Sequence, residues 1–175
     1  MRGTARRIEI SAYLYLPLLA VVALLQVTLA PYIQVLGARP DFMFLTVIAW
    51  GLLRGTRTGI VWGFVGGLFI SFFSGGPFGV ACLALMAVGF IAGLGQTAVT
   101  RGRIALPVLT ALLTALVHGL LSLLLLDVSG YPVAWLDTIA RVLLPTMVFN
   151  ALLTVPVYAA YRRLHRATGR EELEW

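Results

Sequence analysis

Lysine is missing from this chain of 175 residues, and all 13 basic side chains are arginine. Lysine-based covalent chemistry, Schiff-base formation included, is therefore excluded. Cysteine occurs once, at Cys82. One thiol makes no internal disulfide and anchors no metal cluster, and inside an apolar run it reads as a small buried hydrophobe. Charge is scarce: 11% of residues are charged, against about 25% in soluble domains. The two histidines, His118 and His165, lie on either side of one long loop-and-span segment and do not pair. There is no HExxH, no Walker A, no GxSxG and no pair of carboxylates within an apolar run. An intramembrane protease, an acyltransferase or a proton-driven transporter needs more ionisable groups than this. The expectation is a non-enzyme that works by binding, with no cofactor and no metal site.

Apolar residues fill the space that charge leaves. They make up 60% of the chain, and the mean hydropathy is +0.95. Six membrane spans need about 120 residues, so this length predicts one polytopic all-α domain with short loops. Charges and turn residues place the spans at 11–33, 41–53, 58–73, 78–99, 104–126 and 135–161. Arg2, Arg6 and Arg7 resemble the start of a signal peptide. The apolar run that follows exceeds the about 7–15 residues of such a segment, so it reads as a retained span.

Arginine position predicts orientation. With the N-terminus in the cytoplasm, eleven arginines fall inside (2, 6, 7, 54, 57, 101, 103, 162, 163, 166 and 170), only Arg39 falls outside, and Arg141 lies within or near the sixth span. That bias places both termini in the cytoplasm. The same arginines flank apolar runs, which points to lipid headgroups rather than nucleic acid. The second and third spans are short, and a re-entrant hairpin over 41–73 is the alternative to two crossings. The basic turn at 54–57 favours two crossings.

Glycine carries the most regular pattern. Gly51, Gly55, Gly59, Gly63 and Gly67 recur every fourth residue, and Gly89 and Gly93 offer a second face. Such stripes let helix backbones approach closely, either within one chain or against a partner's helix. Polar residues inside spans are few, among them Gln26, Thr114, His118, Ser122, Arg141 and Asn150. Intramembrane ionisable groups are functional candidates. His118 is weighed as a histidine bonded to a neighbouring helix against a ligand or proton-relay group. Arg141 is weighed as a partner of Asp137 four residues earlier against a contact to lipid phosphate or another protein. Pro145 and Pro156 should bend the last span. Trp50, Trp62 and Trp135 look like interface anchors.

Four stretches carry a resemblance. They begin at Arg39-Pro40-Asp41, at Gly51-Leu52-Leu53-Arg54-Gly55, at Gly63-Phe64-Val65-Gly66-Gly67-Leu68 and at Ser74-Gly75-Gly76-Pro77-Phe78-Gly79. In order, spacing and length they resemble the bacterial rod shape-determining MreD family, with Pro40, Asp41, Arg54, Gly55, Gly75, Pro77 and Gly79 on the motif positions. The motif region covers about 39–95. Many members carry an acidic residue where this chain has Ser71. The resemblance implies a non-enzymatic component of the cell-elongation machinery in the bacterial cytoplasmic membrane. The partners it implies are a bitopic MreC-like protein, the glycosyltransferase RodA, a class B penicillin-binding protein and, indirectly, the MreB filament. It also implies a fold like the substrate-binding S components of energy-coupling-factor vitamin transporters, which supplies the rival function. An S component would need an outer pocket, to which Asp127, Ser129, Tyr131 and Asn150 could contribute.

Overall fold

A helix apolar on all sides has to be wrapped by others, and α2 (Phe42–Arg54) occupies that position. The computed structural model describes residues 3–33, 38–96 and 105–168; for 3–15, 105–107 and 164–168 it describes the backbone alone. Around α2 stand α1 (Gly3–Thr28), α3 (Thr56–Ser74), α4 (Val80–Leu94), α5 (Ala105–Val128) and α6. Helix α6 opens with Trp135–Thr138, passes through a π-helical turn at Ile139–Leu143, and continues as Leu144–Thr168. The expected breaks at 34–37 and 97–104 lie outside the described residues.

Every residue of α2 from Met43 to Leu52 is buried. This answers its length deficit. Thirteen residues rise about 20 Å, short of the about 30 Å hydrocarbon core, but a helix enclosed by its neighbours has no lipid to match. Among the described residues, three helical stretches are long and apolar enough to cross a membrane: Thr56–Ser74, Val108–Val128 and Trp135–Arg163. Phe42–Arg54 and Val80–Leu94 are apolar and shorter. Tertiary packing, rather than span length, fixes the place of these two.

The turns follow from local chemistry. Gly55 alone reverses the chain between α2 and α3, at φ +86°, a conformation costly for any residue with a Cβ. Its N–H donates to the Gly51 carbonyl at 2.8 Å. Helix α3 ends on Gly75 in the left-handed region, a common helix stop. The π turn lies just ahead of Pro145. Proline has no N–H to give the carbonyl four residues back, and its ring crowds that carbonyl. The expected disturbance of the last span thus takes the form of a wider turn.

Glycine sets the register. Met43 of α2 meets Gly66 of α3, so the two run antiparallel about Gly55. Gly59 lies on Gly89, Gly63 on Leu85, Gly67 on Cys82, and Thr56 on Gly93, an unbroken antiparallel α3–α4 pairing. Gly51 meets Ala92, which brings α2 alongside α4 in the parallel sense. On the far side, Gly95 meets Thr110 of α5 and Gly119 of α5 meets Leu143 in the π turn of α6. The core within this frame joins Leu19 and Ala23 of α1 to Phe44 and Ile48 of α2, Val88 and Ala92 of α4, Ala111 and Ala115 of α5 and Ala151 of α6. In lipid these contacts hold through close packing, since the surrounding tails are as apolar as the core.

Trp50 is a correction. It is 3% exposed and packs edge-on to Tyr161, with ring centroids 5.7 Å apart. Trp62 also packs against the core, half-buried. Trp50 is therefore no interface anchor; it was misjudged because its helix is interior.

Candidate functional site

A helix start inside a membrane protein exposes N–H groups that lipid cannot satisfy. The start of α2 meets this demand with three side chains. Asp41 caps its own helix, its Oδ1 accepting from the Phe44 N–H at 2.9 Å. The Asp41 N–H donates to Asn150 Oδ1 of α6 at 2.9 Å. The Phe42 N–H donates to Gln26 Oε1 of α1 at 2.6 Å. Pro40, buried just before, has no N–H to satisfy. The Arg-Pro-Asp stretch is thus a helix-entry device whose remaining donors are completed by distant helices.

His118 of α5 completes the cluster. Its Nδ1 stands 4.0 Å from Asp41 Oδ2, beyond hydrogen-bond distance. Its ring lies 5.5 Å from that of Phe44. Both His118 and Asp41 keep about a fifth of their side-chain surface open, 22% and 23%. That surface faces two cavities of about 190 and 200 Å³, both lined by Asp41, His118 and Ser122. The first extends toward Gln26, Ser71, Ser74 and Pro77, and the second toward Thr138, Thr146 and Asn150. The Arg-Pro-Asp stretch and the Ser-Gly-Gly-Pro loop, 33 positions apart at Asp41 and Ser74, therefore border one cavity. Ser71 lines it too; its Oγ is 3.9 Å from Cys82 Sγ, and both residues are buried.

The opposite end of α2 is also clamped from other helices. Gln96 Nε2 donates to the Leu53 carbonyl at 3.2 Å. Nearer the start of α2, Thr46 Oγ1 donates to the Phe42 carbonyl of its own helix at 2.8 Å and lies 3.2 Å from the Tyr161 hydroxyl of α6, whose ring also meets Trp50. The Arg54 guanidinium sits over the Trp50 ring, 4.9 Å from its centroid. Arg54 and Gly55 thus belong to the end away from Asp41.

The other candidates separate by role. A Cβ added to Gly59, Gly63, Gly67, Gly89 or Gly93 would run into the backbone of the facing helix. The stripe is taken up by α3 against α4, so this face is not open to a partner's helix. Gly75 and Gly79 have positive φ and open space around them, serving as turn residues beside the first cavity. Arg141 Nε bonds Asp137 Oδ1 at 2.6 Å on an exposed surface, 80% and 61% open. Asp127, Ser129 and Tyr131 are exposed and line neither cavity, so of the four residues considered for an outer pocket only Asn150 reaches one. The sequence marked Gln26 and Ser122 as polar but gave no reason to bring them to Asp41. No group of three potential metal ligands occurs among the described residues.

The fold and this site define an all-α membrane protein whose central helix is held at its entry by polar side chains from distant helices. Residues 7–167 match the model of the rod shape-determining protein MreD family, and the chain belongs to that family. The match extends well past the motif region, through both sides of the Asp41 cluster. No curated protein and no solved structure matches the chain. Membership carries a role in rod shape determination.

Proposed function

We propose that the chain is a non-catalytic scaffold of the bacterial cell-elongation complex, binding a bitopic MreC-like protein in the cytoplasmic membrane and helping to control peptidoglycan synthesis. Both termini lie in the cytoplasm. RodA, a class B penicillin-binding protein and, indirectly, the MreB filament belong to the larger assembly. The observation that carries this reading is the family match over residues 7–167. The internal use of the glycine stripe adds a restriction: the partner's span sits on another face, because α3 and α4 occupy each other's stripe.

A rod-shaped bacterium depleted of its own family member tests the role. Expression of this chain together with its MreC-like partner restores rod shape. Cells that stay round, with the chain present in the membrane at normal level, would count against the proposal. An energy-coupling-factor S component is the second reading, favoured by the cavities beside Asp41. Their size argues against a vitamin: each holds about 200 Å³ or less, below the about 300–1,000 Å³ of pockets that enclose drug-sized ligands.

A further inference from the structure

We propose that the two cavities beside Asp41 form a binding site for a small organic cation, an ammonium group on a short apolar body, seated between Asp41 and His118. The geometry supplies the recognition. Asp41, His118 and Ser122 border both cavities, with Asp41 Oδ2 and His118 Nδ1 4.0 Å apart. Asp41 is the only carboxylate lining either cavity, and no arginine lines them, among the described residues. Asp41 is the acidic group and His118 the basic group that face a guest, in a setting of low dielectric where charges interact far more strongly than in water. A cation pairs with the Asp41 carboxylate, and no arginine lining the cavities competes for it among the described residues.

The remaining wall agrees. Oδ1 of Asp41 is engaged with the Phe44 N–H, which leaves Oδ2 as the oxygen on the His118 side. Ser122 and Thr146 offer hydroxyl oxygens as further acceptors for an ammonium. Phe44, Leu143 and Met147 supply an apolar wall for the body of the guest. No group of three His, Cys, Asp or Glu side chains stands there among the described residues, which disfavours a transition metal as the guest. The ammonium could belong to a soluble amine or to a lipid headgroup; the chemistry at Asp41 is the same.

Cysteine labelling tests the site on the full-length chain in nanodiscs of phosphatidylglycerol, a lipid without an ammonium group. Cys82→Ala removes the native thiol, and Ser122→Cys or Thr146→Cys places a new one on the cavity wall. Methyl methanethiosulfonate, small and neutral, reports access by mass. Saturating benzylammonium is expected to slow labelling at both positions at least fivefold, to leave Ser129→Cys on the exposed loop unchanged, and to be matched by no effect of benzyl alcohol. Asp41→Asn, which keeps a good helix cap, is expected to abolish the protection while the melting temperature holds. Protection that appears on adding phosphatidylethanolamine, with no soluble amine, assigns the ammonium to the lipid. Absence of protection by both benzylammonium and phosphatidylethanolamine overturns the site. Equal protection by benzyl alcohol, or protection that survives Asp41→Asn in a folded chain, overturns the cation reading.

Discussion

Asp41 does two jobs that can be separated by substitution. It caps α2 through Oδ1, and it faces His118 through Oδ2. Asp41→Ala removes the cap, at a cost of about 1 kcal/mol, whereas Asp41→Asn retains it. Thermal unfolding of the purified protein should therefore rank the native chain and Asp41→Asn together, with Asp41→Ala below. An Asn variant as unstable as the Ala variant would show that the charge, not the cap, holds the helix. Asn150→Leu removes the acceptor for the Asp41 N–H and should destabilise by about 1–3 kcal/mol, read in the same assay. An unchanged melting temperature would mean that this N–H finds another partner. The cap depends only on local geometry, since Asp41 and Phe44 are three residues apart, and such a contact can be read from spacing alone. The bonds from Gln26 and Asn150 cannot, since they cross 16 and 109 residues and depend on how whole helices are arranged.

At the scale of elements, the glycine stripe was visible as a period of four, and its partner was not. A period shows that a face is small; it does not show what lies on it. The structure supplies that: Gly59 and Gly89 sit backbone to backbone, and the pairing continues through Leu85 and Cys82. Gly59→Ala and Gly89→Ala should each destabilise by about 1–3 kcal/mol through overpacking. Gly76→Ala, whose added Cβ meets nothing nearer than Ser74 Oγ at 3.6 Å, should change stability by less than about 0.5 kcal/mol. Unfolding curves that fail to separate these variants would show α3 and α4 to be less closely packed than described. The helix ends at Gly55 and Gly75 were readable for a different reason, in that glycine marks turns by its own conformational freedom. The π turn left only Pro145 as its trace, which predicts a disturbance without its form.

For the whole molecule, hydropathy and arginine placement gave a polytopic bundle but not its interior. The shortness of the second span prompted the re-entrant alternative, and the burial of Met43 to Leu52 gives that shortness another cause. Trp50 was misjudged for the same reason: an aromatic near the end of an apolar run marks the interface only when the run itself faces lipid. The assembled molecule has two differently built ends about α2, one gathering Gln26, Asp41, His118 and Asn150, the other Arg54, Gln96 and Tyr161. Its glycine faces are spent internally, so association with another protein has to use the remaining outer surface. Native mass spectrometry of the tagged chain, gently extracted from its own membrane, reads the scaffold role most directly. A stoichiometric complex with a bitopic protein carrying a coiled-coil ectodomain is expected. Recovery instead with the ATPase and coupling subunits of an energy-coupling-factor transporter, and with no such bitopic protein, would contradict it.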